Sequence, residues 1–125
     1  MPKHHTKVDA VIRQLKAARE AIEARRSPSC VAAALHEVFV SVQDPAITAG
    51  AVRECLVAHG FRVPASSPET IELEQLSELL ERCSREDTRA YARALDALWV
   101  LINNRIDELE RELRADVAGD QIAQP

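Results

Sequence analysis

Three prolines, each preceded by a serine or an aspartate, divide the chain into segments of helical length. The pairs are Ser27-Pro28, Asp44-Pro45 and Ser67-Pro68. A short oxygen-bearing side chain before a helix accepts a hydrogen bond from an exposed amide, and proline in the first turn supplies a suitable φ. Each pair therefore predicts a helix start. A fourth start is predicted at Ser84, with Asp87 three residues later in a variant of the capping box.

Apolar residues recur at three- and four-residue intervals after each start, as they do on the buried face of a helix. The predicted helices cover residues 7–25, 28–43, 45–59, 68–83 and 85–117. The second ends in "VFVSV", which alternates like a strand, but the apolar spacing from Val31 to Val42 favours a helix. Gly60 and Gly119 are placed to end helices.

The fold expected from these segments is all-α: one domain, a bundle of about five helices with a long C-terminal helix. A chain of 125 residues with 46% hydrophobic residues is suited to one core. We predict that residues 1–118 form the bundle and that residues 119–125 form a flexible tail. Three cysteines without a CxxC pair indicate reduced, buried thiols rather than a disulfide framework.

Charge is distributed unevenly along the chain. Residues 1–26 have a formal charge of +4, residues 27–68 of −1 and residues 69–125 of −7, giving the net −4. The basic start and the acidic end can attract each other, within one chain or between two. Because "MPKHHTKVDA" lacks the apolar stretch of a secretory signal and no window could span a bilayer, a cytoplasmic protein is expected. Arginine- and alanine-rich usage is typical of GC-rich bacterial genomes.

The last predicted helix changes character along its length. Its middle, "ALDALWVLI", is apolar nearly all round, which predicts that other helices surround it. Beyond Asn104 the apolar residues form a single stripe that continues from Ile102. Carboxylates and arginines, including Arg105, flank the stripe and are expected to form ordinary ion pairs along the helix. The stripe consists of Ile102, Ile106, Leu109 and Leu113.

At about 1.5 Å per residue this helix is roughly 50 Å long and should extend beyond a bundle of shorter helices. Leaving the stripe in water would forgo several kcal/mol, since covering each Ile or Leu contributes about 1.5–3 kcal/mol. The first helix of the same chain can cover it, as can a helix of a second copy. A long projecting helix favours the second copy. Ile102, Ile106, Leu109 and Leu113 are therefore the predicted partner or homodimer interface.

Cys55 and His59 lie one helical turn apart, a spacing that suits a metal site or an activated thiol. On a helical wheel both fall within the apolar arc of the third predicted helix. A buried cysteine acts as a small hydrophobe, and a histidine near a helix end can bond to open carbonyls. A metal would need further ligands, and the neutral candidates show no recognisable pair spacing: Cys30, His36 and Cys83. We therefore predict no metal, no cofactor and no catalytic residues.

Arg53 and His59 form an Arg-x5-His pair, which loosely resembles the motif of the HEPN domains, small all-helical ribonucleases of toxin–antitoxin pairs. The resemblance covers two residues and implies RNA cleavage by this pair. The polar residue usual within that motif is missing. In a continuous helix, six positions place the two side chains about 120° apart. The ribonuclease alternative therefore requires His59 to lie beyond the helix end.

A second alternative is DNA binding, because "QDP" joins the second and third predicted helices almost as in a helix-turn-helix. Thr48, Ala49 and Arg53 would then contact the bases. The turn has no glycine, however, and the third helix has one basic residue, whereas phosphate contacts dominate nucleic-acid affinity. The function predicted from the sequence is instead a small bacterial cytoplasmic regulator or adaptor without catalysis, acting by protein–protein contact as a homodimer.

Overall fold

Five α-helices and one short π-helix make up the part of this protein that the structure describes. A computed structural model describes the backbone of residues 2–63 and 71–123 and the side chains of residues 7–63 and 71–115. Within these ranges every regular element is helical, so the predicted all-α bundle with a long C-terminal helix is confirmed. The elements are α1 Pro2–Glu23, α2 Pro28–Glu37, a π-helix Val38–Val42, α3 Ala49–Ala58, α4 Leu73–Glu86 and α5 Thr88–Ala123.

The predicted start at Ser27-Pro28 is confirmed, and so is the end at Gly60. The amide of Cys30 donates to Ser27 Oγ at 3.4 Å, with Pro28 in the first turn of α2. Gly60 follows α3 with a φ of 92°, a left-handed conformation that favours glycine. The strand-like "VFVSV" is helical as predicted, but it forms a π-helix. The start predicted at Ser67-Pro68 lies outside the described residues.

The start predicted at Asp44-Pro45 is wrong. Helix α3 begins at Ala49, and its N-cap is Thr48, whose Oγ1 accepts from the amide of Ala51 at 3.2 Å. The carboxylate of Asp44 instead accepts from the amides of Ala46 and Ile47, at 3.0 and 3.2 Å. Asp44 therefore closes a turn of its own, five residues before α3 begins at Ala49, as short carboxylate side chains often do.

The start predicted at Ser84 is also wrong, by one turn. Helix α4 continues to Glu86, and the extended backbone of Asp87 separates it from α5. Asp87 Oδ1 accepts from the amide of Ala90 at 3.0 Å, so Asp87 is the residue that caps α5. At the other end α5 runs through Gly119 to Ala123, so the helix end predicted at Gly119 is wrong.

Helices α1 and α5 form the most extensive pair and run antiparallel. Lys16 Nζ lies 3.3 Å from Glu110 Oε2, and Arg19 Nη1 donates to Asn103 Oδ1 at 2.7 Å. Trp99 on α5 donates from its indole Nε1 to Oε1 of Glu23 on α1 at 2.8 Å. Helix α2 packs on α4 and α1, and α3 packs on α5. The largest fully buried side chains are Leu15, Leu35, Ile47, Leu76, Leu80, Ile102 and Ile106.

The middle of α5 is not surrounded on every side as its sequence predicts. Val100 is 50% exposed, whereas Leu98 and Ile102 are buried. The bundle therefore covers α5 on one side and leaves an apolar residue in solvent on the other. Throughout the part of the chain that the structure describes, each helix is too short or too polar to cross a membrane.

Candidate functional site

The stripe on α5 lies in the core of a single chain. Ile102 and Ile106 are fully buried and Leu109 nearly so, while Leu113 is half-buried against the core. Helix α1 provides the cover, because its contacts with Asn103 and Glu110 border the stripe. The sequence left two explanations for how the stripe is covered, by α1 of the same chain or by a second copy. In the structure α1 of the same chain covers it. In the folded single chain Ile102, Ile106 and Leu109 are therefore buried and not exposed to solvent.

Cys55 and His59 make one local contact. His59 is the C-cap of α3, and its Nδ1 lies 2.7 Å from the carbonyl oxygen of Cys55. Cys55 is half-buried, and burial, together with the negative charge of Glu54, raises the pKa of its thiol. Among the side chains of residues 7–63 and 71–115, no three His, Cys, Asp or Glu groups are placed to share a metal ion. The arrangement ends a helix and shows no activated thiol.

The residues of the two alternative functions lie on α3 or next to its ends. His59 is just past Ala58, the last residue of this helix, which is the position that the ribonuclease alternative requires. Arg53 lines a groove beside α4, whereas the ring of His59 contacts its own helix and does not line that groove. Thr48, a predicted DNA-reading residue, uses its hydroxyl as the α3 cap. Residues 43–48 separate the π-helix from α3, so the connection is longer than the predicted "QDP" turn.

Two cavities with shared lining residues lie on the face of the bundle formed by α3, α4 and the π-helix, and together they are called the groove. The cavities have volumes of about 490 Å³ and 570 Å³ and share Ala49 and Ile71. Both volumes are in the range of ligand pockets. The first cavity lies between α3 and α4, and its apolar floor is formed by Val52, Val63, Ile71, Leu76 and Leu79. The second lies along the π-helix and includes His36, Phe39, Val40, Gln43, Pro45, Ile47 and Thr48.

Local backbone features explain why apolar groups are open here. At the end of α2 the π-helix adds one residue to the helical turn, and single π turns of this kind are frequent at functional sites. Val40 lies on this segment, lines the second cavity and is 57% exposed. The groove is therefore an apolar surface that the described part of the bundle does not bury.

Arginines surround the first cavity. Arg53 reaches it from α3, and Arg82 and Arg85 from α4, with Glu78 as the acidic member. Arg82 Nη1 donates to Glu86 at 3.0 Å, and its Nη2 donates to the carbonyl oxygen of Arg62. These two bonds hold the Arg82 guanidinium at the edge of the groove.

A buried ion pair supports the wall of the second cavity. Asp44, which lines this cavity, is bonded through its carboxylate to Arg105 of α5. The helical spacing alone predicts only ion pairs of Arg105 along its own helix. Its position in the sequence could have indicated a buried contact, because Arg105 lies three residues after Ile102 and four before Leu109, at the edge of the buried stripe. Its contact with Glu108 at 3.1 Å is the smaller part of its bonding.

Comparisons with known protein families, with curated proteins and with solved structures give no match to this chain.

Proposed function

We propose that this protein is a small bacterial cytoplasmic regulator or adaptor that acts, without catalysis, by binding another protein in the groove between α3 and α4. The observation that carries the proposal is the groove itself: two adjoining cavities with an apolar floor and a charged edge. Apolar grooves between helices commonly bind a helix of a partner, whose apolar residues at positions i, i+3, i+4 and i+7 enter the groove.

The proposed binding surface is the groove and not the α5 stripe that the sequence predicts. The stripe from Ile102 to Leu109 is buried in one chain, so homodimerisation through it would require the chain to open. The groove needs no such opening, because Ile71 and Leu79 are half-buried in the folded chain and Gln75 is exposed. Self-association through the groove is a separate outcome, measured by light scattering.

The experiment fills the groove with a side chain. Ala49 lines both cavities, so Ala49→Trp should occupy their junction. Ala58→Trp is the matched control, since Ala58 is exposed on the same helix and lines neither cavity. Wild type and each variant are expressed in the native host and purified, and the host proteins that co-purify with each are identified and quantified.

At least one host protein should co-purify with wild type and with Ala58→Trp but not with Ala49→Trp. Equal co-purification with all three contradicts the proposal. Because a substitution in the first turn of α3 can also unfold the chain, each variant is first melted. If Ala49→Trp melts early, Gln75→Trp replaces it, since Gln75 is exposed and lines the first cavity.

A further inference from the structure

Arginines are concentrated at one end of the bundle, where α1, α3 and α4 end and α2 and α5 begin. Arg25, just after α1, has its Nη2 atom 3.6 Å from Oδ1 of Asp96 on α5. Arg82, near the end of α4, donates to the carbonyl oxygen of Arg62, which follows α3. Short connections lead from α1 into α2 and from α4 into α5. Three segments therefore lie together, and we call them the arginine end: residues 23–28, 59–63 and 82–96.

The arginine end is positively charged although the protein is acidic. Its three segments contain seven arginines and four carboxylates, a formal charge of +3, whereas the whole chain has a net charge of −4. Two of the arginines are already paired, Arg25 with Asp96 and Arg82 with Glu86. Among the described residues, the other five have exposed side chains that form no ion pair or hydrogen bond: Arg26, Arg62, Arg85, Arg89 and Arg93.

Two of these arginines are placed where they do not help the fold. Arg62 and Arg85 lie near helix C-termini, where a cation interacts favourably with the helix dipole. Arg26, by contrast, directly precedes Ser27, the N-cap of α2, and Arg89 is the second residue of α5. The N-terminal end of a helix has a partial positive charge, so a cation there lowers its stability. Unpaired cations at these two positions favour a role in binding.

We infer that the arginine end binds an acidic segment of a partner protein, whose Asp or Glu side chains pair with the five unpaired arginines. Guanidinium groups bind carboxylates through two parallel hydrogen bonds, which gives both energy and orientation. The inference goes beyond the proposed function, because this surface is separate from the groove and meets it only at Val63, Arg82 and Arg85.

The carboxylates of the arginine end favour a protein segment over a nucleic acid. Glu86, Asp87 and Asp96 stand among the arginines. A nucleic-acid strand has a phosphate at every nucleotide, so some phosphates would face these carboxylates, and the net charge of the protein repels a long polyanion. An acidic protein segment can have its carboxylates only where guanidinium groups are available.

The probes are two flexible fluorescent peptides of about 12 residues, which reach about 40 Å when extended and can cross an end made of helices about 10 Å thick. The acidic peptide alternates glutamate with glycine or serine, and the neutral peptide has glutamine in place of glutamate. Fluorescence anisotropy gives the Kd of each peptide for the full chain. The acidic peptide should bind at least about tenfold more tightly and weaken as salt screens the charges. Equal binding of the two peptides would overturn the inference.

Arg26→Glu with Arg89→Glu reverses two charges at the arginine end and should weaken the acidic peptide at least about tenfold. Arg13→Glu with Arg114→Glu is the matched control, since both residues are exposed outside the arginine end and the net charge changes equally. Along α5, Arg114 is about 38 Å from Arg89, beyond the screening length of about 10 Å at 0.1 M salt, so the control should stay within about twofold. An equal effect of the two double variants would show a general charge effect and contradict the inference.

The melting temperature separates a role in binding from a role in folding. Because both glutamates replace cations at helix N-termini, Arg26→Glu with Arg89→Glu should melt no lower than wild type. Weaker peptide binding with an unchanged or higher melting temperature supports the inference. A lower melting temperature would assign these arginines to the stability of the fold and would overturn it.

Two further measurements test where the peptide binds and what the surface recognises. Ala49 lines the groove and lies outside the arginine end, so Ala49→Trp should leave the Kd of the acidic peptide within about twofold, whatever it does to a partner in the groove. Loss of peptide binding in Ala49→Trp would place the peptide in the groove and overturn the inference. A single-stranded oligonucleotide that binds more tightly than the acidic peptide, and that Arg26→Glu with Arg89→Glu releases, would identify phosphates as the ligand and would also overturn it.

Discussion

Arg105 holds the carboxylate of Asp44 from 61 residues away, with Nη2 donating to Oδ1 at 2.9 Å and Nε to Oδ2 at 3.0 Å. The Asp44 side chain is only 3% exposed and that of Arg105 17%. The same carboxylate also accepts the amides of Ala46 and Ile47. One side chain thus closes the turn before α3 and ties that turn to α5. The hydrogen bond to Asp44 is also the main reason that the pKa of Arg105 is raised.

Asp44→Ala should therefore lower the free energy of unfolding by about 3 kcal/mol, because it leaves a largely buried guanidinium without its carboxylate. Asp44→Asn should cost less, since its amide oxygen can still close the turn. Glu108→Gln is the control: that carboxylate is 53% exposed, and exposed pairs contribute about 0–1 kcal/mol. Urea denaturation gives the three values. An Asp44→Ala cost no larger than that of Glu108→Gln would contradict the structural role of the pair.

The three thiols should react at clearly different rates. The expected burial of all three thiols is wrong for Cys30, which is exposed, while Cys55 is half-buried and Cys83 is fully buried. Burial raises the pKa of both Cys55 and Cys83, which lowers the fraction of reactive thiolate. A thiol reagent at neutral pH should label Cys30 first, Cys55 slowly and Cys83 only as the chain unfolds, as mass spectrometry of the labelled protein can show. Labelling of Cys83 at its denatured rate would contradict the described core.

Tyr91 gives a prediction at alkaline pH. Burial, and to a lesser degree the nearby Cys83, raises the pKa of Tyr91 from 10.0 to about 12. Between these values the unfolded chain releases a proton that the folded chain keeps, so the stability that this group contributes is lost as pH rises. The free energy of unfolding should therefore fall from pH 10 to about 12 in wild type. Tyr91→Phe should remove this part of the decline.

The same substitution tests the hydroxyl at neutral pH. Among the described residues, the Tyr91 hydroxyl oxygen is the one buried side-chain polar atom without a hydrogen-bond partner. Removing an unpaired buried hydroxyl is expected to stabilise the protein by about 1 kcal/mol. Chemical denaturation of Tyr91→Phe measures the change. Destabilisation by a similar amount would mean that the hydroxyl makes a favourable bond, contrary to its described surroundings.

The stripe on α5 should behave as core. Ile106→Ala should cost about 2–5 kcal/mol, as for other buried side chains, and Leu113→Ala should cost much less because Leu113 is half-buried. Leu109→Glu with Leu113→Glu should unfold the chain, since Leu109 is buried under α1. Circular dichroism and light scattering distinguish the two roles. A dimeric wild type that this double variant converts to a folded monomer would make the stripe a dimer interface after all.

Sequence periodicity predicted the helical content because local spacing determines which face is buried. Leu15, Leu35 and Ile102 all lie in the core as their spacing indicates. Helix ends were less predictable, because the choice between Ser84 and Asp87 as a cap depends on the path of the whole connection. Asp44 shows the same limit, since its carboxylate is shared between a local turn and Arg105. Such a contact joins distant segments and leaves only a weak pattern in the sequence.

The groove could not be predicted for a related reason. Its lining comes from α3, the π-helix and α4, and residues such as Arg53 and Arg82 become neighbours only when these elements pack. The sequence did indicate that something must cover the α5 stripe, but length alone favoured a second copy. The antiparallel pairing of α1 along α5 supplies the cover instead, with Lys16 beside Glu110 as the charge distribution suggests.

If a partner protein binds in the groove, site-specific photocrosslinking in the native host should capture it there. A photoreactive amino acid replaces Gln75, which is exposed and lines the first cavity, or Glu20, which is exposed on α1 and lines no part of the groove. Position 75 should crosslink to a defined protein, identified by mass spectrometry, and position 20 should not. Crosslinks to the same proteins from both positions, or none from position 75 in a folded chain, would contradict binding in the groove.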